Sequence, residues 1–172
     1  MDATHLHLLI NHVPILTTVF AVLILLWGII RSNKSFQQLA MVGFIIAGIL
    51  SIVALQSGEG AEDTVENLPG VTESYIHDHE EAAEITNWIA VALAVVSGVG
   101  FAISRFNPGI MKMYLYVLLT GGIVSAGMFS YTAYLGGQIR HTEIRPETTA
   151  GQSGAVASTL NQIDVARSEH RS

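Results

Sequence analysis

The chain alternates between long apolar stretches and short polar connections. Four stretches without a charged residue are each close to the ~20 residues that a helix needs to cross a ~30 Å hydrocarbon core. They span residues 13–30, 39–55, 85–103 and 113–135. The first is too long for the core of a signal peptide and lacks a small-residue cleavage site, so we expect it to remain as a helix. The pattern predicts an all-α integral membrane protein, an up-down-up-down four-helix bundle in residues 1–141.

Composition and charge support a membrane protein and indicate its orientation. Half of the residues are hydrophobic and only 13% are charged, too few for an ordinary soluble surface. The short turns after the first and third stretches contain basic and no acidic residues: Arg31, Lys34, Arg105 and Lys112. The positive-inside rule places such turns in the cytoplasm. We therefore expect a multi-pass protein of the bacterial inner membrane, in contact with lipid and with both termini outside.

The connection between the second and third stretches, residues 56–84, is strongly acidic. It has nine carboxylates and no Lys or Arg: Glu59, Glu62, Asp63, Glu66, Glu73, Asp78, Glu80, Glu81 and Glu84. The net charge of −6 is concentrated here, which disfavours nucleic acid as a partner and favours a cation. Three interpretations remain open: a solvated loop, a docking surface for a basic soluble cytochrome, or a site for Ca²⁺ or another metal.

The tail in residues 142–172 differs from the rest of the chain. It opens with a polar linker and ends in a stretch of mixed charge with a weak apolar pattern. This predicts an extracytoplasmic segment with a short amphipathic helix, packed on another subunit of a membrane complex.

Because the chain has no cysteine, histidine is the main candidate for binding a metal or a cofactor. Covalently attached c-type haem, iron-sulfur clusters and thiolate zinc sites are thereby excluded. Six of the seven histidines lie at or near the predicted outer helix ends: His5, His7, His12, His77, His79 and His141. In an up-down-up-down bundle these ends meet at one membrane face. Each histidine alone could be an interfacial polar side chain, but their convergence predicts a haem or metal site.

Helical geometry limits which histidines can share a centre. His5 and His12 are seven residues apart and share a face, whereas His7 and His12, five apart, point roughly 140° away from each other on a straight helix. Pro14 leaves two possibilities. It may lie in the first turn of a helix capped by Asn11, or it may kink a longer helix that begins near Thr4.

The fourth stretch contributes aromatic and small residues to the same predicted site. Tyr131, Tyr134 and His141 form a stripe, and Gly136 and Gly137 leave room for a flat macrocycle. Tight packing against a neighbouring helix is an equally good explanation for these glycines.

The segment from His7 to Pro14, His-Leu-Leu-Ile-Asn-His-Val-Pro, resembles the H-x(4)-H-x-P opening of a bacterial family of four-helix membrane proteins of unknown function that are suspected to bind haem b. The resemblance covers residues 5–141 and extends to Ser57-Gly58, to His79 and to Tyr134-Leu-Gly136-Gly137. It implies that His7, His12 and His79 are ligands. His141 is a fourth candidate ligand, because the predicted bundle brings the outer helix ends together.

Three hypotheses follow. The first is a b-type cytochrome or electron-transfer subunit with one or two haems b, bound by His7, His12, His79 and His141 with Tyr134 and Gly137 nearby. The second is a non-haem iron, copper or zinc site, favoured by more carboxylates than the family pattern has. Its additional ligands would be His77, Glu59, Glu62, Glu80 and Glu143. The third is a structural subunit without a metal. No pattern for a catalytic nucleophile or a phosphate-binding loop is present.

Overall fold

The structure is a computed structural model that describes residues 3–61, 66, 71–104 and 108–145, with the backbone alone for 3 and 108–111. Its regular elements are all helical, which confirms the all-α prediction for this part of the chain. They are α1 (Ala3–Ile10), α2 (His12–Ile30), α3 (Lys34–Glu59), α4 (Glu73–Ile103), α5 (Pro108–Arg140) and a short 3-10 helix (Thr142–Ile144). The predicted tail and its amphipathic helix lie outside the described residues beyond Arg145.

In the part of the chain that the structure describes, four helical segments are long and apolar enough to cross a membrane. They are Thr4–Ile30, which joins α1 and α2, Lys34–Glu59, Glu73–Ile103 and Lys112–Arg140. Only 22–33% of the most apolar window of each segment is buried inside the protein. Most of the apolar surface therefore faces outward, an arrangement that a water-soluble monomer rarely has.

The helices form a ring in which α2 packs on α3, α3 on α4, α4 on α5, and α5 on α2. The tight turn at 31–33 joins α2 to α3, and Asn33 caps α3 by accepting hydrogen bonds from the amides of Ser35 and Phe36. We call the end with Lys34 and Lys112 the basic end. The opposite end, where α1 contacts α3 and α4 begins, is the histidine end.

The first spanning segment is interrupted at Asn11, between α1 and α2. Pro14 has no amide hydrogen and cannot bond to the carbonyl of Ile10, so the helical hydrogen bonds lapse one turn before it. The amide of Asn11 still donates to the carbonyl of His7, at 2.9 Å. Of the two possibilities for Pro14, the structure shows the longer helix that begins before it.

The interior changes from apolar to polar along the bundle. A core of large side chains, including Leu25, Met41, Phe44 and Leu118, fills the half near the basic end. Toward the histidine end the buried residues include hydroxylated side chains, Thr18, Ser51, Ser57 and Thr86, beside apolar ones such as Ile76 and Leu135. Apolar packing therefore stabilises one half of the bundle, while the other half leaves hydrogen-bonding groups facing inward.

Candidate functional site

His7 projects from α1 onto the last turns of α3. Its Nδ1 lies 3.1 Å from the carbonyl oxygen of Ala54 and 3.3 Å from Oγ of Ser57. A Cβ atom on Gly58 would be only 3.2 Å from Cε1 of the imidazole, so the ring rests against the bare backbone of this glycine. Because a carbonyl oxygen only accepts hydrogen bonds, Nδ1 carries the proton and donates it.

His79 repeats this arrangement between α4 and α5. Its Nδ1 donates to the carbonyl oxygen of Thr132, at 3.0 Å, and a Cβ atom on Gly136 would lie 3.0 Å from its Cε1. In both places the acceptor and the glycine are four residues apart, so they lie on the same face of their helix. Each imidazole thus occupies a notch made by a glycine and the carbonyl one turn before it.

The two hydrogen bonds determine which ring nitrogen is free. With Nδ1 protonated, Nε2 of the neutral imidazole keeps its lone pair and can bind a metal. Metal-binding histidines usually donate the other ring N–H in this way, which fixes the ring and raises its basicity as a ligand. His7 and His79 are also close enough to interact electrostatically, although they come from different helix pairs. The structure therefore orients two half-buried imidazoles at the histidine end.

Hydroxyl groups hold the helices around these imidazoles in register. Oγ1 of Thr132 lies 2.8 Å from Oγ1 of Thr86 and donates to the carbonyl of Ala82 at 3.2 Å. One layer further in, Ser51 of α3 donates to the side chain of Asn87 of α4, at 2.9 Å. These bonds tie α3 to α4 and α4 to α5, so the spacing of the two notches is set by the bundle.

The other candidate histidines lie at the surface. His12 is exposed and hydrogen bonds to the side chain of its neighbour Asn11. His77 is exposed at the start of α4. His141 is 63% exposed, with Nδ1 2.9 Å from Oε1 of Glu143. The backbone amide of Glu143 and then the bond from His141 hold the pKa of the Glu143 carboxyl below its usual value.

The carboxylates proposed as non-haem ligands are spread over this end. Glu59 and Glu143 are exposed and Glu80 is half-buried, whereas Glu62 lies outside the described residues. Within the described ranges, no group of three or more His, Asp or Glu side chains is placed to hold a metal ion.

On α5 the neighbouring glycines Gly136 and Gly137 face different parts of the structure. Gly136 faces His79, whereas a Cβ atom on Gly137 would lie 3.3 Å from Cδ1 of Ile144 in the 3-10 helix. Tyr134 is half-exposed on the outside of the bundle. Sequence reasoning named Gly58 and Gly136 but did not predict that each lies against a histidine ring, Gly58 against His7 and Gly136 against His79.

Arg145 closes the histidine end and was not singled out from the sequence. It is 8% exposed, and its Nε and one terminal nitrogen donate to the carbonyls of Gln138 and Ile139, at 2.9 and 3.1 Å. The guanidinium also lies 4.6 Å from the ring centroid of Tyr75. Arg145 therefore supplies donors for carbonyls at the C-terminal end of α5, and its contact with Tyr75 links this end to the first turn of α4.

Comparison of the chain with protein-family models, with curated proteins and with solved structures found no significant match.

Proposed function

We propose that this protein is a membrane-embedded b-type cytochrome, an electron-transfer subunit that holds haem b between His7 and His79 near the outer face of the bacterial inner membrane. One observation carries the proposal: both imidazoles donate Nδ1–H to a helix carbonyl and rest on a glycine, which leaves both Nε2 atoms free to bind iron. When bound, haem b supplies reversible one-electron transfer. The chain's own contribution is to orient the two imidazoles.

The donor set supports haem over the non-haem alternative. A haem would take only one or two ligands from the protein, because the porphyrin supplies four, whereas an iron, copper or zinc site built by the protein alone usually needs three or more. Among the described residues, no group of three or more His, Asp or Glu side chains is placed to hold a metal ion, whereas His7 and His79 are each oriented by a hydrogen bond from Nδ1. The pair therefore suits a macrocycle better than a bare ion, and we propose a single haem, since His12 and His141 lie at the surface.

Membrane insertion and orientation belong to the same proposal. Four helices of spanning length with apolar outer faces support a multi-pass protein. The basic residues of the two short turns favour a cytoplasmic location for the basic end. The histidine end and the acidic connection would then face outward, where the connection could dock a basic soluble cytochrome or another subunit as electron partner.

The deciding experiment is a visible spectrum of the purified protein with pyridine haemochrome analysis. Haem b held by two imidazoles gives a Soret band and a redox-sensitive α band. Replacing His7 or His79 by Ala should convert the six-coordinate low-spin spectrum to a high-spin one or abolish haem binding. The four helices should remain inserted, because insertion depends on the apolar stretches.

The surface histidines provide matched controls. His12→Ala and His141→Ala should leave a low-spin spectrum of full intensity, and His170→Ala, in the tail, should do the same. Loss of about half of the haem in the His12 and His141 variants would instead indicate two haems. Wild-type protein without Soret absorbance that contains stoichiometric iron, copper or zinc would overturn the haem proposal in favour of the His and carboxylate site.

A further inference from the structure

A cavity of about 460 Å³ opens at the basic end, opposite the imidazoles. It lies between the turn after α2 and the first turns of α5, and its lining includes Lys34 of α3 and Lys112 of α5. Two apolar side chains of the core, Met41 and Leu115, form its inner wall. The lining is therefore amphiphilic, with two ammonium groups toward the helix ends and an apolar surface toward the bundle.

Internal hydrogen bonds hold the polar wall of this cavity in place. The amide of Gln38 donates to Oγ of Ser104 at 3.1 Å, and Ser104 donates to the carbonyl of Phe101 at 2.7 Å. The side-chain amide of Gln37 donates to the backbone carbonyl of Gly28, at 3.0 Å. These bonds join the ends of α2, α3 and α4, so the cavity is part of the folded bundle and does not require a ligand to form.

The charges of the two lysines are not balanced by this part of the chain. No Asp or Glu occurs in residues 13–58 or 85–142, which include α2, nearly all of α3 and the parts of α4 and α5 that reach this end. Arg31 and Arg105 add two further positive charges in the flanking turns. The guanidinium of Arg31 lies over the ring of Trp27, 5.8 Å from its centroid, and Arg31 does not line the cavity. An anion near Lys34 and Lys112 would gain attraction from both without displacing an internal partner carboxylate.

We propose that this cavity binds an anionic phosphate ester, with the phosphate between Lys34 and Lys112 and the apolar part of the ligand against Met41 and Leu115. A phosphate between two ammonium groups and a hydrocarbon portion on an apolar wall suit an anionic phospholipid of the adjoining leaflet. A water-soluble phosphate ester would use the same two cations. The inference is independent of the haem proposal, because the cavity and the imidazoles lie at opposite ends of the bundle.

The test is native mass spectrometry of the full-length protein in detergent, titrated with phosphatidylglycerol, with phosphatidylcholine, or with glycerol 3-phosphate. We expect wild-type protein to retain phosphatidylglycerol in preference to phosphatidylcholine. Lys34→Gln/Lys112→Gln should lower that preference at least about tenfold, since both ammonium contacts to the phosphate inside the cavity are lost. Glycerol 3-phosphate that binds with the same lysine dependence would identify a soluble ester as the source, and its failure to bind would identify the lipid.

Two variants control for the charge and the fold. Arg31→Gln removes a positive charge from the same end outside the cavity and should keep the preference. Lys34→Arg/Lys112→Arg keeps both charges and should also keep it, which separates lost binding from lost folding. Equal retention of both lipids without glycerol 3-phosphate binding would overturn the proposal. A preference that survives the double Gln substitution, or falls equally in Arg31→Gln, would overturn it as well.

Discussion

Nδ1 of His79 donates a hydrogen bond of 3.0 Å to the carbonyl oxygen of Thr132, an acceptor that belongs to the backbone of the neighbouring helix. The bond fixes the tautomer of the imidazole by helix packing and does not depend on the side chain at position 132. His7 is oriented in the same way by the carbonyl of Ala54. A site built like this is sensitive to the distance between helices, and small residues at the contact should matter more than polar ones.

Replacing Gly136 by Ala should disturb the site without removing any ligand atom. The new Cβ would lie 3.0 Å from Cε1 of His79, closer than such atoms normally approach, so the imidazole must shift by a few tenths of an ångström. We expect weaker haem binding or a displaced α band. Gly127→Ala is the matched control on the same helix, because a Cβ there meets nothing within 4 Å. Identical spectra for the two variants would argue against the notch.

Replacing Arg145 by Met should destabilise the histidine end. The substitution leaves the carbonyls of Gln138 and Ile139 without their donors and removes the contact with Tyr75. Hydrogen bonds from a charged group contribute about 1.5–3 kcal/mol, so thermal unfolding in detergent should begin several degrees lower. Arg140→Met removes an exposed charge from the same helix end and should have little effect. Equal melting curves for the two variants would show that the cap is dispensable.

Reporter fusions should establish the orientation. Fusions at Lys34 and at Asn107 are expected to report a cytoplasmic location, because all four basic residues of the short turns lie at that end. A fusion within the acidic connection at Glu66 should report the opposite side. An external signal from the first two positions would place the histidine end in the cytoplasm and remove the argument for an outer electron partner.

The acidic connection should speed association with a basic soluble cytochrome. The rate is expected to fall with added salt, since the Debye length shrinks from about 30 Å at 0.01 M to about 8 Å at 0.15 M. Neutralising Glu62, Asp63 and Glu66 should flatten that dependence in stopped-flow measurements. Neutralising Glu147, Asp164 and Glu169 removes the same number of charges from the tail and serves as the control. If both triple variants keep the wild-type slope, the connection is a solvated loop.

The apolar stretches predicted four long apolar helices because the length and composition of such a stretch are local properties. Their ends were less predictable. Helix α4 begins at Glu73, twelve residues before the uncharged stretch that starts at residue 85, and α5 continues to Arg140. Backbone hydrogen bonds do not require apolar side chains, so a helix continues into polar sequence until a cap or a turn ends it. The apolar boundary marks a change in side-chain composition along the helix and not the end of the helix.

The sequence by itself determined that six histidines lie near one end of an α-helical bundle, because the alternation of apolar stretches dictates which helix ends meet. Only the tertiary structure decided which of them turn inward. His7 lies against α3 and His79 against α5, where Gly58 and Gly136 leave space for the imidazoles. These contacts depend on the rotation and axial register of one helix relative to another. The periodicity of a single helix does not encode either quantity.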